Sequence, residues 1–381
     1  MTDAIYLGPD RSGIPWLLDP AAPRLAAIAR EFRERTPETW CEPEAVAADL
    51  ALLPGLLRER HFGVATGVTA ADGLDELIAD ARERVLATRP GCWGDALGDL
   101  SDQLRQALRD RHVRLGGSHP SRIRAGEPVF PVDSDAPAVE VRELHGVLCV
   151  TIRRLSGSSA DDAALWAFAE QSAEHFAYDR IIVDLRGNGG GNDAITYQWI
   201  EQSLPAGVVW PATASGWFVG ESPVGFWNWS AYLEARDGLD AVPRFHREHR
   251  HQPRPDDVLE VRAEDDDAQP AGSRPWHGAM LVLVDGDTCS SGESSMWMLR
   301  HGLGARVAGR RTAGMLEFGN VVPYFLPNAG LHVQLATKRN VYAEAVELVG
   351  FPVDVEIDPT TPLAVVAERF DRLHGGVGTR P

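Results

Sequence analysis

The sequence predicts an α/β protein in which stacked strand–helix units follow a helical N-terminal domain. In two places an apolar, strand-like run gives way to a segment with helical spacing: Gly146–Ile152 precedes Ala163–Phe176, and Ala279–Val284 precedes Ser291–His301. Strands that alternate with helices in this way are typical of α/β layers. The second half of the chain is therefore expected to carry the sheet.

The N-terminal domain is predicted to span residues 1–117. From about Pro20 to Leu108 the chain is rich in Ala, Leu, Arg and Glu, and leucines recur at helical spacing near its end, at Leu100, Leu104 and Leu108. Helix breaks are expected at three prolines, Pro37, Pro54 and Pro90.

Residues 118–381 are predicted to form the α/β core. Ile181–Leu185 and Ala305–Gly309 read as further strands, and Leu363–Leu373 reads as a helix near the C-terminus. The Pro-, Trp- and charge-rich segment 205–276 is predicted to be an insertion or lid, because a structureless connection of this length is unusual in a compact domain.

The insertion contains a candidate substrate pocket. Trp227 and Trp229 lie in an aromatic run, Phe226-Trp227-Asn228-Trp229, that is suited to roofing a ligand site. The alternative is that these rings form the hydrophobic core of the insertion itself.

The composition argues against several classes of protein. The 381 residues are 44% hydrophobic, and their formal net charge is −18. Because so acidic a chain repels phosphate backbones and anionic lipids, we expect no nucleic-acid partner and no membrane partner. The first residues show neither a basic leader nor a long apolar run, and no later run reaches the ~20 apolar residues of a membrane span, so a cytoplasmic location is expected.

No metal and no cofactor are expected. The four cysteines are scattered, with no CxxC or Cys/His ligand spacing. His246, His249 and His251 form a local cluster that suits a metal, but the neighbouring arginines and prolines favour an exposed basic loop. The sequence does not fix an oligomeric state, and a homo-oligomer remains an open alternative.

Ser290 is the first candidate for chemistry. It lies in Thr288-Cys289-Ser290-Ser291-Gly292-Glu293, where a buried strand gives way to a helix, and free N–H groups at a helix start favour an alkoxide or an oxyanion. The alternative is structural, because Ser290-x-x-Glu293 also fits a capping box.

Three further segments carry polar or glycine residues that suit a catalytic site. The glycine run after Asp184-Leu185-Arg186 favours either an oxyanion cradle or a plain tight turn. His112 follows the leucine-spaced helix, where it serves either as a base or as a charge partner of the helix end. Glu347 precedes Gly350-Phe351-Pro352, where a glutamate is ordinarily solvated.

Taken in chain order, these four segments resemble the serine peptidase family that includes tail-specific (carboxy-terminal processing) proteases and the tricorn protease core. DLRGNGGGN is similar to the family's Asp-Leu-Arg-Gly-Asn-x-Gly-Gly segment, TCSSGE to its nucleophile segment, and GFPVDVEID to its closing Gly-x-x-Pro-Asp stretch. Asp110-Arg111-His112 resembles its Asp-Gly-His motif. The resemblance covers about Leu100 to Asp358, apart from the insertion, and implies a ClpP/crotonase-like core.

The resemblance also implies which residues act. Tail-specific proteases use a lysine in a Thr-Phe-Gly-Lys-Gly segment, where this chain has Met315, and its one lysine, Lys338, lies elsewhere. The tricorn-like arrangement instead implies Ser290 as nucleophile, His112 as base and Glu347 as the acid that orients it. Arg111 replaces the serine found beside the tricorn histidine, so the link to Glu347 is either direct or made through Asp110.

The implied oxyanion donors are the backbone N–H groups of Gly189, Gly190 and Ser291. The implied function is a serine peptidase or amidase that works through an acyl-enzyme on a peptide or small amide or ester. Two alternatives stay open. One is a biosynthetic hydrolase, cyclase or acyl-transfer enzyme that uses the same site, and the other is a non-catalytic binder of apolar ligands, because the interphotoreceptor retinoid-binding protein shares this architecture.

Overall fold

The computed structural model describes residues 43–65, 67–88, 94–115, 136–156, 159–208, 218–221, 259–262, 272–326, 328–329, 331–340, 342 and 346–375. Contacts between its residues divide the chain into two compact units. The first unit takes in the described parts of Met1–Ala125, Phe218–Val261 and Glu317–Asn340, and the second those of Gly126–Trp217, Arg262–Leu316 and Val341–Pro381.

The described helices and strands are numbered here in chain order. The helices are α1 Pro43–Arg60, α2 Phe62–Ala65, α3 Leu74–Ala87, α4 Gly94–Leu108, α5 Ser159–Glu170, α6 Ser172–His175, α7 Ala194–Glu201, α8 Ser291–Leu303, α9 Leu363–Glu368 and α10 Phe370–His374. The strands are β1 Arg114–Leu115, β2 Val139–Leu144, β3 Val147–Ile152, β4 Arg180–Asp184, β5 Phe218–Glu221, β6 Leu259–Arg262, β7 Ala279–Val284, β8 Arg306–Gly309, β9 Phe318–Phe325, β10 His332–Asn340 and β11 Val355–Glu356. The predicted α/β fold, with a helical N-terminal region before the strand–helix core, is confirmed.

The helices of the first unit form because each buries one apolar stripe. On α4 the predicted leucines, Leu100, Leu104 and Leu108, are fully buried together with Leu97. They pack in one core with the apolar faces of α1 and α3 and with side chains of β9 and β10. The helical spacing read from the sequence is thus the spacing of a core-facing stripe.

Pro54 does not end a helix, which corrects the expected break. It lies inside α1, where a proline removes one backbone hydrogen bond at a cost of about 3 kcal/mol. The leucines around it, Leu53 and Leu57, are fully buried, and burying each leucine contributes about 1.5–3 kcal/mol. Packing of the apolar face therefore outweighs the lost bond. Pro37 and Pro90 lie outside the described residues.

The first unit also contains a five-stranded sheet. Its strands run in the order β1-β10-β5-β6, with β9 paired to β10, and the pairings to β10 from β1, β5 and β9 are antiparallel. The first unit is therefore discontinuous in sequence, whereas the sequence prediction ended the first domain at residue 117. The physical reason is backbone pairing, because Arg114 and Leu115 of β1 lie opposite Gln334 and Val333 of β10.

A buried carboxylate joins α1 to the turn between β9 and β10. Asp49 is fully buried and accepts hydrogen bonds from the backbone N–H groups of Asn328 (2.8 Å), Ala329 (2.8 Å) and Leu331 (3.1 Å). The side-chain amide of Asn328 donates a fourth bond at 3.0 Å. These bonds satisfy backbone donors that the turn leaves unpaired.

The second unit is built on a six-stranded sheet in the order β11-β8-β7-β4-β3-β2. All neighbouring pairs are parallel except the β2–β3 hairpin. Both faces are covered: Val183 and Val282 belong to one core, while Ile182 and Leu281 belong to the core on the opposite face. Burial on both faces explains the continuous apolar runs in the sequence.

The pairing of β4 with β7 positions the site. In this parallel pair Asp184 lies opposite Leu283, so both strands end at the same edge of the sheet. The turns that follow, 185–193 and 285–290, therefore emerge side by side, and the carboxyl edge of a parallel sheet is where α/β proteins place ligands. No helix in the described ranges is both long and apolar enough to cross a lipid bilayer.

Two histidines of the second unit are held in the neutral form. The Trp199 indole N–H donates to His175 Nδ1 at 3.2 Å, and burial lowers the pKa of His175. His301 lies beside the Trp297 ring, with centroids 5.1 Å apart, and burial together with the charge of Arg300 lowers its pKa to about 4. Protonation of either ring disfavours the folded state.

We expect the second unit to lose stability in mild acid. An unfolded histidine titrates near ~6.5, so between about pH 6.5 and pH 4 the unfolded chain binds the extra proton and folding becomes less favourable as the pH falls. Replacement His301→Gln should reduce the drop in unfolding free energy between about pH 7.5 and pH 5 by roughly 1–2 kcal/mol. Urea unfolding at the two pH values measures this. The exposed His277 supplies the control His277→Gln, and an equal drop in both variants would contradict the assignment.

Candidate active site

The two turns at the sheet edge are fastened together by Asp285 and Thr288. Asp285 Oδ1 accepts from the backbone N–H groups of Gly187 and Thr288, both at 3.0 Å. The Thr288 hydroxyl donates to the Leu185 carbonyl at 2.9 Å. Asp285 was not among the residues predicted from the sequence, and Thr288 had no predicted structural role, although an Asp followed by Thr three residues later, directly after a strand, is a recognisable turn signal.

Asn188 makes a second connection between the turns. Its side chain is fully buried, donates to the Ile152 carbonyl at 2.8 Å, and accepts from the Gly190 N–H at 2.8 Å. The backbone carbonyl of Asn188 accepts a hydrogen bond from the Cys289 N–H at 3.0 Å. The Asn188 side chain thus ties β3 to the glycine turn, and the Asn188 backbone carbonyl ties the glycine turn to the turn that carries Ser290.

Arg186, within the same glycine-rich motif, has a structural role. Its guanidinium forms a double hydrogen bond with Asp184, at 2.8 and 2.6 Å, and donates to the carbonyls of Pro359 (2.6 Å) and Thr361 (2.8 Å). The charge of the motif is therefore used to anchor the segment after β11.

Ser290 stands at the junction of β7 and α8 in an unusual backbone conformation. Its φ is 53° and its ψ is −126°, a region that costs a residue with a side chain of order 1–3 kcal/mol. Residues that only cap a helix normally have extended φ and ψ values. A serine on a sharp, strained turn between a strand and a helix is the arrangement that exposes a nucleophilic hydroxyl in hydrolases. The backbone of Ser290 is thus more strained than capping requires.

The capping box is present as well, so the two interpretations of Ser290 are compatible. The fully buried Glu293 carboxylate accepts from the Ser290 N–H at 3.2 Å. The same carboxylate accepts from the Thr312 hydroxyl (2.5 Å) and from the N–H groups of Gly314 and Met315 (both 2.8 Å). Burial raises the pKa of Glu293, and these hydrogen bonds act against that shift. Glu293 therefore holds the strained turn against the 312–315 segment.

The predicted oxyanion donors differ in what they contact. The Gly190 N–H is committed to Asn188, as described above, which differs from its predicted role. The N–H groups of Gly189 and Ser291 donate to no acceptor in the described part of the chain, and Gly189 is exposed. The Ser291 hydroxyl donates to the Gly191 carbonyl at 2.7 Å, which fixes the start of α8 against the glycine turn.

Gly190 contributes space instead. A Cβ at this position would lie 2.8 Å from the Cβ of Ser290 and 3.1 Å from the Ser291 nitrogen, and its φ is +101°. Both the close approach and the positive φ require glycine.

Met315 and Glu347 lie in two segments that are bonded to each other. Met315, at the position where tail-specific proteases have a lysine, is buried and donates its N–H to Glu293. The next N–H, of Leu316, donates to Glu347 Oε2 at 3.0 Å. The Leu348 N–H donates to the Gly314 carbonyl at 2.8 Å. Glu347 is only 1% exposed, so the alternative of a solvated glutamate is wrong.

His112 belongs to the first unit, in the turn after α4. Asp110 Oδ1 accepts from the His112 backbone N–H at 2.7 Å and lies 3.4 Å from His112 Nδ1. Both residues are buried. Burial by itself raises the pKa of Asp110, but hydrogen bonds from His112 and His61 outweigh it and hold that pKa well below its usual range. Asp110 therefore presents a negative charge to the His112 ring.

Several predicted residues lie elsewhere. Lys338 is part of β10 in the first unit. The candidate pocket residues Trp227 and Trp229 lie outside the described residues, as does the histidine cluster at His246, His249 and His251. In the second unit the structure thus brings Ser290, Ser291 and the glycine turn together, and hydrogen bonds through the 312–316 segment connect Ser290 to Glu347.

Replacing Gly190 by alanine should disable the site without unfolding the protein. The added methyl displaces Ser290, and a misplacement of about 1 Å at a reacting group costs ~10²-fold in rate. We expect kcat/KM to fall by at least that factor, measured on any substrate that the wild type turns over. Gly98→Ala is the matched control, because open space surrounds that position within helix α4. Equal activity in both variants would contradict the steric argument.

Replacing Glu293 by glutamine should destabilise the site. Each carboxylate oxygen faces a backbone N–H, so the amide group of glutamine leaves at least one buried donor without an acceptor, at a cost of about 1–3 kcal/mol. Chemical denaturation measures the change. The exposed Glu170 provides the control Glu170→Gln. A Glu293→Gln variant as stable as that control would show that the four hydrogen bonds contribute nothing.

Solved structures match this chain to different extents, and mature CPAF shares its fold. Mature CPAF matches with a TM-score of 0.57 and 11% identity, over 88% of this chain and 99% of that chain. The photosystem II D1 C-terminal processing protease matches with a TM-score of 0.43 and 14% identity, over 84% of this chain and 96% of that one. The tricorn protease matches with a TM-score of 0.40 and 14% identity, over 83% and 34% of the two chains. Among the curated proteins, none matches this chain by sequence.

A family model gives the assignment. Residues 147–357 match peptidase family S41, and this range starts at β3 and extends just past β11. It includes the glycine turn, Ser290 and Glu347, which belong to three of the four segments of the sequence resemblance; the fourth, Asp110-Arg111-His112, lies before it. Because the match spans more than half of the chain, this protein belongs to peptidase family S41 and is a serine peptidase.

Proposed function

We propose that the protein cleaves peptides through an acyl-enzyme formed on Ser290. The observation that carries the proposal is the backbone of Ser290, which is strained at the start of α8 and held there by buried hydrogen bonds. Strain that the surrounding structure maintains is characteristic of reacting groups. The exposed Gly189 N–H and the N–H of Ser291 supply donors suited to an oxyanion.

We assign the general base to His112. The chain's one lysine, Lys338, belongs to strand β10, and methionine at position 315 accepts no proton, which argues against a serine–lysine dyad. Imidazole is the usual base in such sites, and the carboxylate of Asp110 favours the imidazolium that forms when His112 takes a proton. Glu347, buried and bonded to the Leu316 N–H, is the proposed orienting acid, as the resemblance implies.

The proposed reaction has two stages. His112 removes the proton of the Ser290 hydroxyl as its oxygen attacks the substrate carbonyl, and the N–H groups of Gly189 and Ser291 stabilise the oxyanion. The intermediate collapses to an acyl-serine, and the amine product leaves with the proton from the imidazolium. Water then attacks the acyl-serine with His112 again as base, which releases the acid and restores Ser290.

Covalent labelling tests the proposal. A fluorophosphonate should label the wild type at Ser290, as located by peptide mass mapping, and Ser290→Ala should abolish both labelling and peptide cleavage. His112→Ala should slow labelling by about 10²–10⁴-fold, the contribution of a positioned base. Ser294→Ala, one helical turn further along α8, is the control and should label at the wild-type rate.

Two outcomes would contradict the roles proposed for Ser290 and His112. Label on a residue other than Ser290, or undiminished labelling of Ser290→Ala, would exclude Ser290 as nucleophile. Wild-type labelling in His112→Ala would exclude His112 as base and leave the nucleophile assignment standing.

A further inference from the structure

His61 forms a buried arrangement with Asp110 and His112 in the first unit. His61 Nε2 lies 3.1 Å from Asp110 Oδ2, and both side chains are completely buried. The other oxygen of the same carboxylate, Oδ1, accepts the His112 backbone N–H at 2.7 Å and lies 3.4 Å from the His112 ring. The two oxygens of Asp110 therefore face different histidines, one 49 residues away in the chain and one two residues away.

The hydrogen bonds define which nitrogen of His61 carries the proton. The Val64 backbone N–H donates to His61 Nδ1 at 3.3 Å, so this nitrogen is an acceptor. The proton of a neutral ring then lies on Nε2, which donates to Asp110. The ring also lies 5.5 Å from the Phe318 ring, which packs beside it. His61 is thus held in one tautomer and one orientation.

We propose that His61 is a positioning residue for the catalytic base: it fixes the Asp110 carboxylate so that its second oxygen faces His112. The inference rests on the proposed role of His112. A buried carboxylate with one anchored oxygen cannot rotate freely, so its charge stays beside the ring that must become positive during catalysis. Without the His61 donor, one buried oxygen of Asp110 loses this partner, and the carboxylate keeps the His112 backbone N–H on Oδ1 but loses the bond that fixes its plane beside the ring.

A pair of substitutions separates this role from general packing. Glutamine at position 61 carries an amide N–H at about the reach of Nε2 and keeps the donor to Asp110. Asparagine is one bond shorter: it keeps an acceptor for the Val64 N–H but does not reach Asp110. The two variants therefore keep opposite bonds: His61→Gln keeps the donor to Asp110 and lacks an acceptor at the Nδ1 position, whereas His61→Asn keeps the acceptor for Val64 and lacks the donor. His61→Leu, which removes both, is a third variant.

Kinetics should distinguish the variants. We expect His61→Asn and His61→Leu to lower kcat and the fluorophosphonate labelling rate by about 10–100-fold, with KM changed less than about twofold, because loss of an orienting partner affects the base and not substrate binding. We expect His61→Gln to stay within about threefold of the wild type. In an Asp110→Asn background, His61→Asn should have no further effect on kcat, because the oxygen it positions no longer carries charge.

A substitution elsewhere in the same unit serves as the control for a general loss of stability. Asp49→Asn weakens the turn between β9 and β10 and should lower the unfolding midpoint with kcat unchanged. If His61→Asn and His61→Gln have equal kcat, or if Asp49→Asn lowers kcat as much as His61→Asn, the positioning role is wrong. Labelling of His112→Ala at the wild-type rate would contradict the proposed role of His112 as the base. Loss of labelling in His112→Ala together with normal kcat in His61→Asn would overturn only the present inference.

Discussion

The parallel pairing of β4 with β7 is the constraint on which the second unit's site depends. Because these neighbouring strands run in the same direction and in fixed register, their following turns meet at one edge of the sheet. One turn carries the glycine run and the other carries Ser290.

Hydrogen bonds to buried side chains then convert this proximity into a defined geometry. The Asp285 side chain and the Asn188 backbone carbonyl fasten the turns to each other, and Glu293 fastens the Ser290 turn to the 312–315 segment. The strain at Ser290, of order 1–3 kcal/mol, is offset by several buried hydrogen bonds of about 1 kcal/mol each. The same residues therefore stabilise the fold and maintain the conformation of Ser290.

Local features of this protein were predictable from the sequence, because they depend on neighbours within about ten residues. β7 and the start of α8 are found where the pattern placed them, and Ser290 is at the predicted junction. Pro54 was misjudged because tertiary packing of its leucine neighbours decides the outcome there. The pairing of β1 with β10, and the contact of His61 with Asp110, join residues far apart in sequence, and no periodicity in a single chain encodes such pairings. An intermediate case is formed by the turn residues Asp285, Thr288 and Asn188. Their turn signals are local in sequence, but each also forms a hydrogen bond with a residue far away in the chain.

The first unit is discontinuous in sequence, and this affects its folding during synthesis on the ribosome. The apolar faces of α1, α3 and α4 complete their core with side chains from β9 and β10, which end at Asn340. At typical elongation rates of ~5–20 residues per second, the helices emerge roughly 10–45 s before their sheet partner. During that interval the apolar side chains that pack against β9 and β10 lack their native cover in the nascent chain. The helices of the first unit are thus made early but cannot complete their core until β10 has been synthesised.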